Sequence, residues 1–191
     1  MEEYCTDVEG VRRPAYDVSP LVVSRWSPRA MTGEPLSEAE LMPLFEAARW
    51  APSSRNNQPW RFRYAGRTDP EWDQFLELLK DGNRRWARNA AALVVVLSTG
   101  ESATRSFSTG AAWQNMALEG VRRGLVVHPI AGFHHERARR DLDVPEDHRI
   151  ETMTAVGVRA PVETLPEDLR ERESPSDRRP LSDVVARGGF D

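Results

Sequence analysis

The amino-acid sequence predicts an α+β sandwich in which helices flank one central mixed sheet. The hydrophobic period switches repeatedly between about 3.6 and 2 residues along the chain. One stretch, residues 91–97, is apolar at every position, as in a strand covered on both faces. The helical segments on either side of it are long enough to cover both faces of one sheet, and neither an internal repeat nor a second domain boundary interrupts them. At 191 residues the chain suits one domain with a real core.

Residues 1–16 read as an arm that is mobile or wraps the domain. Residues 17–26 are apolar at Val18, Leu21, Val22 and Val23, which predicts a short helix, and residues 27–36 are loop. Ser37-Glu38-Ala39-Glu40 has the form of a capping box. Leu41, Leu44, Phe45 and Ala48 follow at the spacing of one buried helix face, and this helix must end before Pro52. Trp60, Phe62 and Tyr64 then alternate with Arg61 and Arg63, a half-buried strand. Residues 69–80 return to helical spacing through Trp72, Phe75, Leu76 and Leu79, and residues 83–89 add one more turn. After the 91–97 strand, Ser102 or Thr104 is the candidate cap of a long helix reaching about Arg123. Its stripe of Phe107, Gly110, Ala111, Gln114, Leu118 and Val121 offers a broad small-residue and apolar face. Gly124 suits the position just past the helix end. Residues 125–128 form a short strand, 134–142 a helix and 152–158 another strand. Residues 160–180 carry four prolines among alternating charges and read as an extended connector. Residues 181–187 form a last short helix.

Composition narrows the function. The apolar share is 39% and the mean hydropathy −0.59, so the chain reads as soluble, and no run has the length of a membrane span. The first ten residues are acidic and lack an apolar signal core, which makes a cytoplasmic location the expectation. A net charge of −4 argues against nucleic acid as partner. Cys5, the only cysteine, excludes an intrachain disulfide and a cysteine-based metal cluster, and is expected on the arm. Lys80 is the only lysine among 26 basic residues, so a single arginine in a motif carries little weight.

Several familiar signatures are missing: G-x-G-x-x-G after a strand, G-x-x-x-x-G-K-S/T and G-x-S-x-G. His134 and His135 are adjacent, so on a helix they point about 100° apart and cannot share one metal. No metal site is expected. Four segments remain. Arg25-Trp26-Ser27-Pro28-Arg29 sets two guanidinium forks and a hydroxyl where a helix becomes a loop, which suits phosphate oxygens or a solvated helix end. Pro52-Ser53-Ser54-Arg55-Asn56-Asn57-Gln58-Pro59-Trp60 concentrates donors and acceptors between two apolar elements, more than capping requires. In His128-Pro129-Ile130-Ala131-Gly132-Phe133, small residues let backbone N–H groups approach a ligand. Arg178-Arg179 can close on a phosphate or form a solvated charge run.

In this order, the four segments resemble those of the nitroreductase family of FMN-dependent flavoproteins, from about residue 18 to 187. Gly110-Ala111-Ala112-Trp113-Gln114-Asn115 also resembles the start of that family's long dimer helix. The 52–60 loop is the specific signal. The resemblance implies a nitroreductase-like homodimer with FMN at the subunit interface. It divides the chain into the arm (1–16), an FMN-binding domain (17–159) and a C-terminal extension (160–191) packing on the dimer partner. Arg25, Ser27 and Arg29 would reach the phosphate and ribityl end, with Trp26 contributing its backbone. Pro52, Ser53 and Ser54 would line the flavin, and Asn56 would meet its pyrimidine edge. Pro129, Ile130, Ala131 and Gly132 would border the cofactor, with Ala131 and Gly132 placing backbone N–H groups near flavin N5 and O4, and Arg178 or Arg179 would complete the phosphate clamp. The pocket border would fall in residues 66–90, where Asn83, Trp86, Arg84, Arg85 and Arg88 either border the pocket or are plain surface. The implied activity is a ping-pong oxidoreductase. NADH or NADPH would be the reductant, and a small-molecule acceptor of nitroaromatic, quinone or enone type the oxidant. The chemistry would be carried by the flavin rather than by a catalytic side chain. A flavin-dependent dehydrogenase or oxidase and a non-catalytic FMN-binding protein are the alternatives.

Overall fold

The computed structural model describes residues 6–189, so Cys5 lies outside the described residues. Part of the arm lies against the domain. A 3-10 turn at Thr6–Val8 buries Val8, and Asp7 pairs with Arg159 at 3.2 Å. Helix α1 (Pro20–Ser24) starts with its proline in the first turn, where the missing N–H costs nothing. Helix α2 (Glu38–Arg49) opens on the expected capping box, with the Glu40 carboxylate accepting from the Ser37 N–H at 2.8 Å and from its hydroxyl at 2.7 Å. Leu41, Leu44 and Ala48 form its buried face.

Strand β1 (Trp60–Gly66) pairs antiparallel with β2 (Ala92–Ser98). Between them, α3 (Trp72–Glu77) and α4 (Asp81–Ala87) cover one face of the sheet. The long helix α5 (Arg105–Arg122) covers the other and leads through Gly124, at φ +70, into β3 (Leu125–Ile130). Helix α6 (His135–Asp141) precedes β4 (Arg149–Val158), and α7 (Glu167–Arg170) lies in the C-terminal segment. The strand order is β1-β2-β4-β3, and every pairing is antiparallel, so the sheet is not mixed as the sequence reading had it.

The apolar run does form a strand buried along its whole length. Leu93, Val95 and Leu97 enter the core beneath α3, α4 and α6, whereas Ala92, Val94 and Val96 enter the core beneath α2 and α5. The predicted connector is partly a core element. Leu165 and Leu169 are buried with the first of these cores, although prolines punctuate the segment.

Helix α5 buries Ser108, Thr109, Ala112, Met116, Ala117 and Gly120. A Cβ on Gly120 would come within 2.4 Å of Val127, so only glycine permits this approach to β3. The stripe picked out in the sequence lies away from this face. Phe107 is 81% exposed, Gly110 is exposed, and Ala111, Gln114, Leu118 and Val121 are half-buried. Among the described residues no helix is long and apolar enough to cross a membrane.

Candidate functional site

The first site segment follows α1. Arg25, half-buried, donates from Nη1 to the Ser27 hydroxyl at 3.1 Å. Arg12 on the arm donates to the Val23 carbonyl and, at 2.9 Å, to the Arg25 carbonyl, which fixes this turn of backbone. Arg178 folds onto the Ser176 and Asp177 carbonyls at 3.1 and 2.9 Å. Burial, then the charges of Arg12 and Arg178, lower the pKa of Arg25. Among the described residues, Arg25, Arg178 and Arg179 have no carboxylate at ion-pair distance. Arg25 and Arg178 are like charges that repel one another, and an anion between them would relieve this.

Arg29 and Trp26 depart from this pattern. The Arg29 guanidinium lies 3.5 Å from the buried Glu173 carboxylate and donates to the Arg172 carbonyl at 3.2 Å. Glu173 also accepts the Arg29 and Ala30 N–H groups at 2.7 and 2.9 Å. Arg29 is therefore largely committed to holding its own segment. The Trp26 indole is buried, with the Arg159 guanidinium 4.5 Å above its ring, so only its backbone is left to meet a ligand.

The second segment is the end of β3. The Ile130 side chain is buried in the core, which removes it from any ligand contact, and its carbonyl accepts from Thr152 at 3.0 Å. Pro129 is half-buried within β3 opposite Thr154, while Ala131 is exposed beyond the strand end. The Gly132 carbonyl accepts from the Lys80 N–H at 3.1 Å and from Asn83 Nδ2 at 3.0 Å. A Cβ at Gly132 would sit 2.4 Å from that same nitrogen, so a side chain there would push the Asn83 amide out of its bond. His128, just upstream, donates from Nδ1 to the Pro28 carbonyl at 2.8 Å and packs its ring 4.5 Å from Trp86. Burial pushes its pKa down to about 4; the Arg29 and Arg25 charges push the same way, against the bond to Pro28.

The third segment is the 52–58 loop. Arg55, Asn56 and Gln58 have φ of 52, 56 and 46, three left-handed residues of which none is glycine. Such backbone costs about 1 kcal/mol or more per residue and persists only where local bonds over-determine it. Ser53 Oγ accepts the Gln58 N–H at 3.0 Å, and Arg61 donates to the Gln58 and Trp60 carbonyls at 3.0 and 2.7 Å. Pro52, Ser54, Asn56, Asn57 and Gln58 are all exposed, and Ser53 is half-buried. The loop is rigid, polar and turned outward.

These segments do not converge within one chain. The loop enters β1 at one edge of the sheet, while residues 129–132 leave β3 at the other, about 14 Å away across three strand spacings. Helix α5 lies between the arginine segment and α2, the helix from which the loop leaves. Arg25 lies 6.0 Å from the Trp113 ring on one flank, and Asn115 bonds the Ala47 carbonyl of α2 on the other. Arg25, Ser27 and Arg178 come together, with His128 and the 129–132 turn nearby, whereas Pro52, Ser53, Ser54 and Asn56 stand apart.

Of the five residues named as candidates for a pocket border, four make contacts within the chain. Trp86 is buried, Arg84 pairs with Glu77 and Asp81, Arg85 pairs with Asp168, and Asn83 ties down Gly132; Arg88 is plain exposed surface. Arg12, Arg61, Glu173 and His128 were missed as contributors. The general abundance of arginine hid the first two, and the role of Glu173 depends on a segment 144 residues away. His128 alone stood inside a motif already singled out. Among the described residues no cluster of histidine, cysteine, aspartate and glutamate can hold a metal.

The fold is thus an antiparallel α+β layer with arginines gathered at one edge of the sheet and a polar loop with left-handed residues at the other. The family model described as the nitroreductase family matches residues 22–158, and the chain belongs to that family. It is 33% identical over 130 residues, 65% of this chain and 87% of the relative, to an uncharacterised 15.4 kDa protein of Mycolicibacterium smegmatis. It is 26% identical to an NADH dehydrogenase of Thermus thermophilus, covering 90% of this chain and 96% of that protein. A solved structure described as an oxidoreductase containing FMN superposes with a TM-score of 0.91 at 41% identity, covering 94% of this chain and 96% of its own. A putative nitroreductase in complex with FMN from Desulfovibrio desulfuricans gives 0.73 at 26% identity, covering 92% and 100%.

Proposed function

We propose that two copies of this chain close two shared sites, each holding FMN, and that the protein is an NAD(P)H-dependent oxidoreductase. The observation that carries this reading is the separation of the site segments. Each chain offers a phosphate end and an N–H turn at one sheet edge, and a polar loop that it cannot itself bring there. A second copy supplies the loop. The outward α5 stripe with Phe107, and Trp50 at 71% exposure beside the loop, are the apolar surface such a contact would cover. The segment beyond Glu173, which lies open at Leu181, Val184 and Val185, packs on the same partner.

The residues fit the cofactor. Arg25, Ser27 and Arg178 hold the phosphate, and its charge relieves their mutual repulsion; Arg29 acts mainly by bracing this segment. Ala131 and Gly132 would offer backbone N–H groups to the flavin ring, where donors stabilise added negative charge. Ser53, Ser54 and Asn56 arrive from the second copy to fix the plane and pyrimidine edge. When bound, FMN would supply the hydride chemistry of a ping-pong cycle between NADH or NADPH and a nitroaromatic, quinone or enone acceptor. The FMN-containing relatives and the NADH dehydrogenase relative support this reading.

The test is to purify the protein, read its flavin spectrum and mix it with NADH and NADPH in stopped flow. Bound FMN that bleaches with either nicotinamide is expected, and a colourless protein that takes up no FMN overturns the proposal. FMN that neither nicotinamide reduces would replace it with a flavin-dependent dehydrogenase or oxidase. Phe107→Glu should yield a monomer without flavin, whereas an FMN-loaded monomer would exclude the shared site.

A further inference from the structure

We infer that His128 is a positioning residue that sets the phosphate-binding segment against the N–H turn, and that α4 is the brace through which it does so. This rests on the FMN reading. Two faces of the site, residues 25–29 and 129–132, belong to segments 100 residues apart, and no covalent constraint fixes their spacing. A continuous line of contacts does. The Gly132 carbonyl accepts from Asn83 Nδ2 at 3.0 Å, and Asn83 Oδ1 accepts from Trp86 Nε1 at 3.3 Å. The Trp86 ring packs 4.5 Å from the His128 ring, and His128 Nδ1 donates to the Pro28 carbonyl at 2.8 Å. Asn83 and Trp86 are three apart on α4, so they share one helix face and address both segments together.

The chemistry of each member suits this task. A neutral imidazole is flat enough to pack against indole and still presents one N–H. The carbonyl it reaches can only accept, so the Nδ1 proton is fixed. Pro28 and Pro129, each next to a bonded group, stiffen the two segments at the points where the brace attaches. Trp86 is buried and cannot swing away. Losing the His128 donor would leave the Pro28 carbonyl unpaired in a buried place and free the turn that carries Arg25 and Ser27.

Riboflavin, which lacks the phosphate, separates positioning from general damage. The experiment measures FMN and riboflavin affinity for wild type, His128→Phe, His128→Asn and Asn83→Ala. His128→Phe keeps a ring against Trp86 but loses the donor. Its FMN dissociation constant should rise about tenfold while that for riboflavin moves less than about twofold. His128→Asn sets an amide donor where Nδ1 was and should recover most FMN affinity. Asn83→Ala loosens the turn instead, and should weaken both ligands alike and shift the flavin reduction potential. Equal loss of FMN and riboflavin in His128→Phe, or no loss of either, overturns the inference. Wild-type protein that takes up neither flavin overturns the FMN reading beneath it, and this inference with it.

Discussion

The arginine segment and the 52–58 loop are both polar and both lie at the rim of the sheet, yet they are held in opposite ways. The arginine segment is anchored by long-range bonds: Arg12 from the arm, Glu173 from the C-terminal segment and His128 from β3. The loop is anchored almost entirely by itself, through Ser53 and Arg61, and holds three left-handed residues exposed to solvent. Tertiary structure therefore builds one half of the site, and local turn chemistry builds the other. The first half should fail through loss of folding energy, and the second through loss of shape with the fold intact.

The sharpest way to break this comparison is Glu173→Ala. It removes the acceptor of two N–H groups, that of Ala30 buried and that of Arg29 partly so, and strips a carboxylate from Arg29 and Arg159. Loss of about 3 to 5 kcal/mol and a melting temperature lower by roughly 10 °C are expected in thermal unfolding. Arg25→Ala comes next. It removes a charge-assisted contact worth about 1.5 to 3 kcal/mol to a phosphate, so FMN affinity should drop by ten- to a hundred-fold in titration. The same variant should leave the melting temperature of the flavin-free protein unchanged, because Arg25 is repelled by its neighbours rather than paired with them.

Acid acts on the anchored half too. His128 titrates near 4 in the folded protein, below its ordinary 6.5, so it is neutral when native. As pH falls from 6.5 towards 4 the unfolded chain takes up this proton first. The stability that comes from keeping His128 neutral is complete above that window and is lost within it. Urea unfolding should show about 2 kcal/mol lost from this group between pH 7 and 4.5, and His128→Phe should lack that part of the loss. On the loop, Arg61→Ala should leave global stability within about 0.5 kcal/mol. It should nevertheless accelerate amide exchange across residues 52–58. The smallest effect is expected for Arg55→Gly, which relieves a φ of 52 and should stabilise the fold by about 1 kcal/mol at most. A large loss of stability in either loop variant would show that the loop is anchored more widely than its bonds indicate.

Local patterns could be read because neighbours in sequence produce them. The Ser37–Glu40 capping box, the buried β2 run and the left-handed Gly124 needed only contacts within a few residues or a simple period. The 52–60 motif was legible for the same reason, as its shape is set by its own residues. The α5 stripe was found correctly as a pattern, but its period could not say which of two small-residue faces would meet the sheet. The steric fit of Gly120 against Val127 chose the other one. The mixed sheet was wrong because hydrophobic alternation is the same in parallel and antiparallel strands, and only the pairing decides between them.

By itself, then, the sequence determined the α+β class, most of the helices and strands before residue 160 and the loop that resembles the family's. The 160–180 connector instead holds α7, and the expected 181–187 helix is only a 3-10 turn at Leu181–Asp183. Tertiary structure decided the rest. It committed Arg29 to Glu173 and put Trp26 under Arg159; it also gathered Arg25 with Arg178 and set the loop at the opposite sheet edge. The physical reason is range. Backbone propensity and periodicity act over a few residues, whereas charge pairing and burial act between segments that only the completed fold brings within a few ångströms.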